Sequence, residues 1–328
     1  MGAGRREAGV SGAGGSDAGE ASGRLIRTLV RLDRPPSVPT LPPAMLPLGF
    51  HLAFRLRDDR VLAPSVAARR SLAHTLARLA EAFPVLAWRV VDTHLHVLGR
   101  FSEAQVAELA RRLRLALARA HPGVPLLLSL CKPVHDQWHL AEAFTYVLRQ
   151  DARHGVASDP LQEGSSVLDV LGLRVLAPSL PARVREHLPR LTRAELLIHL
   201  GVQALEEAVR LEHLSAATCA AFALESLGGN GAESVAARVA AVHAAAAASP
   251  SAVAEALGVS RNTVWKLAAH APSPRAERAI RLQMSLRAAV PLAAAFAAEP
   301  PVARRAVSPN SGRPRGLVEF GDTIRPPV

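Results

Sequence analysis

Two short stretches of the chain combine residue types that do metal and phosphoryl chemistry. His94-Leu95-His96 lies in the run Thr93 to Leu98, which alternates as a strand does. Successive strand side chains leave opposite faces, so both imidazoles project from one face while Leu95 turns into the core. Two ring nitrogens on one face can reach a single divalent ion, and imidazole suits several metals. Taken alone, two histidines so spaced are more often unconnected surface residues. Tyr146 is the only tyrosine and stands four residues before Gln150 in a helical stretch, 136–153. Leu140, Ala143, Phe144 and Val147 form its apolar stripe, which leaves Tyr146 and Gln150 together on a neighbouring, more polar face. A phenol beside a polar amide can serve as a nucleophile next to a metal ligand. Taken alone, such a tyrosine is more often half-buried at the edge of a core. His135 and His139 are also four apart, but His135 precedes the helix cap Asp136 and no acid is placed as a third ligand, so both are read as solvent- or DNA-facing.

A different chemistry belongs to the stretch Ser249 to Leu267. It reads as helix, tight turn, helix: Ala254 is small where two helices approach, Gly258 supplies the turn, and Val264 and Leu267 pack inward. With Ser260 as cap, Arg261, Asn262, Thr263 and Lys266 face outward, residue types that read base edges or hold phosphates in a major groove. The alternative is an ordinary helical hairpin. Arg275, Arg278, Arg281 and Arg287, just beyond, form either a solvated face or phosphate contacts.

The elements that must position these residues emerge from periodicity. Phe50 to Leu56 alternates as a strand, and residues 65–82 carry Leu72, Leu76, Leu79 and Ala80 at helical spacing. Val85 to Val91 and Thr93 to Leu98 are further strands. Ser102 and Gln105 make a capping-box pattern for a helix reaching His121-Pro122. Val124 to Leu130 is strand-like, and Asp136 caps the tyrosine helix. The order β-α-β-β-α-β-α predicts an α+β fold, a ferredoxin-like antiparallel sheet with helices on one face. Beyond it, helical stretches near 193–210, 215–226, 232–248, 250–270 and 275–298 predict an all-α region containing the helix-turn-helix. The expected organisation is a disordered, proline-rich segment 1–47, the α+β domain 48–165, a helical connector 166–232, a helix-turn-helix region 233–298 and a flexible basic tail 299–328.

Composition narrows the partners. Hydrophobic residues make up 49% of 328, enough for a packed core, and the net charge of +11 favours a polyanion, nucleic acid first. All but two of the 39 basic residues are arginine, the lysines being Lys132 and Lys266. Two separated cysteines, Cys131 and Cys219, argue against a disulfide framework or zinc ribbon. No run has the length of a membrane span and the first two dozen residues lack the apolar middle of a signal peptide, so a soluble, cytoplasmic protein without a membrane partner is expected.

Taken together these pieces resemble the single-tyrosine HUH transposases, in particular the branch associated with repetitive extragenic palindromes. Phe50 to Arg55 matches the first strand, Val90 to Leu98 the histidine strand, and Tyr146 to Val156 the tyrosine helix and its exit. Ser165-Ser166 with Asp169, Leu171 and Gly172 matches the segment after that helix. Thr93 stands where the family usually has asparagine, and Gln150-Asp151 where this branch often has Asn-Pro. The resemblance implies a single-stranded DNA transposase or nickase in which His94, His96 and Gln150 hold Mg²⁺ or Mn²⁺. Tyr146 would attack phosphorus, leaving a 5′-phosphotyrosine and a free 3′-hydroxyl. Hairpin single-stranded DNA would be the substrate, with Arg55, Arg57, Arg89 and Arg100 contacting its backbone, and duplex DNA a further partner through the helix-turn-helix. Relatives include both dimers and monomers, which leaves room for a homodimer. Two other classes remain: a helix-turn-helix regulator carrying a relic nuclease domain, and a replication initiator or relaxase, for which no additional histidine is placed as third ligand.

Overall fold

The computed structural model describes residues 46–150, 159, 161–271 and 273–297. All but the last two residues of the expected N-terminal segment, the tail 299–328, and Asp151 to Val156 behind the tyrosine helix lie outside these residues. Among the described residues the fold is α+β, built on one open, four-stranded antiparallel sheet. Strands β1 (Gly49–Leu56), β2 (Val85–Val91), β3 (His94–Gly99) and β4 (Leu126–Val134) lie in the order β2-β3-β1-β4. β2 and β3 form a hairpin. The other two connections skip a strand and join strands that run parallel with one strand between them, which requires crossovers, and helices α1 (Val66–Ala82) and α2 (Glu103–Ala118) supply them. Ser65 Oγ accepts the Ala68 N–H at 3.1 Å, and Ser102 and Gln105 form a reciprocal capping box.

Right-handed crossovers send α1 and α2 to the same face of the sheet. On that face β1 presents Leu52, Phe54 and Leu56, and β3 presents Leu95 and Val97, all fully buried. Leu72, Leu76 and Leu79 of α1 and Val106, Leu109 and Leu113 of α2 are the buried stripes that cover it. The expectation of helices on one face only is corrected by α3 (Gln137–Leu148), whose Tyr146 lies against the histidines of the opposite face. The reason is topological. α3 comes after the last strand, so no crossover rule binds it, and it covers the apolar residues of the second face with Leu140, Ala143, Phe144 and Val147.

Two boundaries also differ. β4 runs to Val134, through Pro133, which an edge strand tolerates because it need not donate on both sides. The tyrosine helix breaks after Leu148, with Arg149 as its cap. Beyond β2, the segment Gly164–Ser166 lies along the strand's outer edge: Val90 N–H donates to the Gly164 carbonyl and Ser166 N–H to the Trp88 carbonyl, both at 3.0 Å. That covers an edge otherwise open to pairing.

Short helices α4 (Val167–Val170), α5 (Leu180–His187) and α6 (Arg193–Ile198) continue the chain. The helix expected over 193–210 ends at Ile198 because Gly201 takes a φ of 69° and Val202 N–H returns to the Leu197 carbonyl, a left-handed cap. Helices α7 (Leu214–Phe222), α8 (Ala232–Ala244), α9 (Pro250–Leu257), α10 (Arg261–Ala268) and α11 (Pro274–Ala297) form the second, all-helical layer. The apolar core around the sheet does not stop at residue 165: it takes in Leu168, Leu180, Leu197 and Val202, and then Leu282 and Leu286 of α11. Ile280 and Met284 of the same helix belong to the helical core. Between the two, Glu163 is buried and accepts from Arg70 Nε and Nη2 (3.1 and 2.7 Å) and from Arg287 Nη2 (3.1 Å). Arg287 is therefore part of the interior and not of a solvated or phosphate-contacting face. Arg278 and Arg281 pair with Glu207 at 3.1 and 3.0 Å.

Candidate metal and nucleophile site

The pairing register decides what meets on the second face of the sheet. Arg55 lies opposite His94, Ala53 opposite His96, and His51 opposite Leu98, so alternate residues of β1 share the face of the two histidines. β2 adds Val91 and Arg89, and β4 adds Lys132 opposite His51. α3 crosses this face and sets the Tyr146 ring 5.4 Å from His51, nearly perpendicular, and 6.2 Å from His96. The His94 and His96 rings are 6.2 Å apart. Tyr146 is 37% exposed, which keeps the phenol accessible to a large substrate.

Each histidine of β3 has a polar neighbour at Nδ1. For His96 it is His51 Nε2 at 3.1 Å, with the two buried rings stacked at 5.3 Å; for His94 it is Thr93 Oγ1 at 2.7 Å. Burial, reinforced by the nearby Lys132 and His139, lowers the His51 pKa to about 4, so that ring is neutral at pH 7. Gln150 is 1% exposed; its amide nitrogen donates to the Tyr146 carbonyl at 3.0 Å, while its Oε1 is buried with no hydrogen-bond partner among the described residues.

These observations bear on whether a divalent ion fits. Ligating histidines characteristically donate the second ring N–H to an acceptor, and both Nδ1 atoms here have one within reach. An orphaned, buried amide oxygen is costly unless something binds it, and a cation is a suitable occupant. Among the described residues no group of three or more His, Cys, Asp or Glu is arranged to hold a metal. Two imidazoles and an amide oxygen are donor types that a divalent ion accepts.

The expected DNA-contacting arginines separate. Arg57 and Arg100 are exposed; Arg100 donates to the Leu48 carbonyl at 3.3 Å and has His187 Nδ1 at 3.3 Å. Arg55 is half-exposed and paired with Asp59 at 3.0 Å. Arg89 does not face outward. It is completely buried, hydrogen-bonded to Gln162 and 3.6 Å from Asp159. Burial lowers its pKa to about 10, still charged at pH 7. Its strand is an edge, but Asp159, Gln162 and Gly164–Ser166 cover that edge.

In the helical layer, α9 and α10 are joined through Gly258, at φ 65°, and Ser260 Oγ accepts the Thr263 N–H at 3.1 Å. Arg261, Asn262 and Lys266 are exposed, as is Trp265, while Val264 and Leu267 are buried. Thr263 is half-buried, with Oγ1 2.9 Å from Ser260 Oγ. His135 and His139 have ring centroids 6.4 Å apart.

Three features carry little or no signal in the sequence. His51 joins the cluster; alternation over residues 51, 53 and 55 marks its face, but nothing local marks its neighbour. His199, the cap of α6, is pushed down to about 4 by burial and by Arg149 and Arg89. A cleft of about 810 Å³ runs beside α3, lined by Trp138, Thr145, Arg100, His187 and Arg190. Trp138 is 72% exposed, a visible signal only once the apolar stripe of α3 is laid out. Among the described residues no helix is long and apolar enough to cross a membrane. No family model matches the chain, and no curated protein or solved structure matches it either.

Proposed function

We propose that the protein is a single-tyrosine HUH-type strand-transfer nuclease acting on hairpin-bearing single-stranded DNA. The observation that carries this reading is the convergence of the chain's only tyrosine with His94 and His96 on one sheet face, although Tyr146 and His96 are 50 residues apart in sequence. The strand order β2-β3-β1-β4, with two crossovers on the other face, supports the ferredoxin-like arrangement expected of such a domain. Tyr146 Oη attacks the scissile phosphorus; a P–O bond to the phenol forms, the bond to the 3′-oxygen breaks, and the phenol proton is lost as the leaving oxygen gains one. The resulting 5′-phosphotyrosine retains the phosphodiester energy, so a 3′-hydroxyl can reverse the step and rejoin strands without ATP. His94, His96 and Gln150 would hold Mg²⁺ or Mn²⁺, whose chemistry there is polarisation of the phosphate and stabilisation of its developing charge.

A second reading has its own observation. α9, the Gly258 turn and α10 with exposed Arg261, Asn262, Trp265 and Lys266 support a helix-turn-helix suited to duplex DNA, and a regulator would need nothing more. We hold this unit to be an accessory that brings the nuclease to its site. Full-length protein incubated with labelled hairpin single-stranded DNA and Mn²⁺ decides between them. The nuclease reading expects a covalent protein–DNA band that survives denaturation and disappears in Tyr146→Phe, which still binds the DNA. A wild type that binds duplex tightly and forms no adduct would establish the regulator.

A further inference from the structure

We propose that His51 is a positioning residue that holds His96 in its metal-binding tautomer. The inference deepens the nuclease reading and rests on it. His51 and His96 come from β1 and β3, 45 residues apart, and their ring nitrogens meet at 3.1 Å in a buried setting, with the rings stacked. The atoms involved are His51 Nε2 and His96 Nδ1. A proton on His96 Nδ1, donated to His51, puts the His96 lone pair on Nε2. The opposite arrangement puts the proton on Nε2 and removes that atom as a ligand. His94 has a parallel device in Thr93, one residue away, whereas His96 is followed by apolar Val97 and preceded by core-facing Leu95, so no adjacent side chain can do the same for it. The acceptor must come from another strand, and the register brings His51 to it. Outer partners of this kind are worth roughly 10- to 100-fold in metal affinity.

The test uses full-length protein and Mn²⁺ as the probe, with binding followed by electron paramagnetic resonance and the His96 ring nitrogens by ¹⁵N NMR. His51→Phe keeps the ring and its stacking but has no acceptor. His51→Gln retains a carbonyl oxygen near the place of Nε2. Mn²⁺ affinity is expected to fall roughly 10- to 100-fold in His51→Phe and to stay within a few-fold of wild type in His51→Gln. His96 should carry its proton on Nδ1 in wild type and revert to Nε2–H in His51→Phe, a change that a merely structural role for His51 would not produce. Equal Mn²⁺ affinity in wild type and His51→Phe, or a wild-type His96 already protonated on Nε2, overturns the proposal. Wild type that takes up no Mn²⁺ overturns the metal-centre reading beneath it, an outcome distinct from the first.

Discussion

His94 and His96 share a face but not an environment, and their substitutions should differ accordingly. His94 is half-exposed, so His94→Ala should abolish cleavage at little cost in stability. His96 is buried against His51, and His96→Ala leaves the His51 nitrogen unsatisfied, costing about 1–3 kcal/mol in urea denaturation besides the loss of cleavage. Leu95→Asp buries a charge among Phe54 and its neighbours and should prevent folding. Equal cleavage by wild type and His96→Ala, with or without EDTA, would remove the metal from the reading. Arg89 makes a separate case. Asp159 keeps Arg69 at 3.8 Å and the Glu163 and Gly164 N–H groups when Arg89 is lost, so Arg89→Leu should cost about 1–3 kcal/mol. The salt dependence of DNA binding should remain unchanged, whereas loss of a phosphate contact would lower its slope by about 1.

Elements impose their own tests. The α9–α10 turn depends on Gly258 at positive φ, so Gly258→Ala should destabilise by about 1 kcal/mol. The Arg261→Ala, Lys266→Ala double variant, exposed at both positions, should leave folding intact, weaken duplex binding and flatten its salt dependence by up to about 2 in slope, without affecting adduct formation on single-stranded hairpins. Duplex affinity unmoved by that pair would remove α10 from the interface. At the end of α6, the folded pKa of His199, about 4, lies below the usual histidine value of 6.5. Between these pH values the unfolded chain binds the extra proton, so the stability His199 contributes is complete above pH 6.5 and is lost as pH falls towards 4. Its size is on the order of 1–3 kcal/mol. Denaturation of wild type and His199→Gln at pH 4.5 and 7.5 checks this: the wild type should lose more on acidification.

At the scale of the whole molecule, the two layers are built as one. Leu282 and Leu286 of α11 enter the sheet's core, and Glu163 binds Arg70 of α1 and Arg287 of α11 together. Leu286→Ala should cost about 2–5 kcal/mol, and Glu163→Gln, which leaves buried guanidiniums short of charge, about 3–5 kcal/mol. Both should lower the single unfolding transition instead of splitting it, as followed by calorimetry. A fragment ending near residue 175 lacks Leu180, Leu197, Val202 and α11, and its exposed core should make it aggregate. Tests of the two proposed DNA-binding surfaces therefore belong in full-length variants.

What the sequence determined by itself is what depends on neighbours a few residues apart. Period-two alternation put His94 and His96 on one face with Leu95 inward, and cap chemistry placed the starts of helices at Ser102, Asp136 and Ser260. Gly258 marked its turn because only glycine adopts that backbone without strain. The family resemblance named Tyr146, Gln150 and the histidines as a set, while their encounter depends on strand order, which alternation leaves free. Only the tertiary structure brought His51 to His96, because that meeting requires β1 to insert between β3 and β4 in one register. It also put α3 on the second face, buried Arg89 against Asp159 and Gln162, and joined Glu163 to arginines 93 and 124 residues away. Contacts of that range are selected by the packing of whole faces against one another, and a charged residue in a sequence carries no mark of whether a distant segment will cover it.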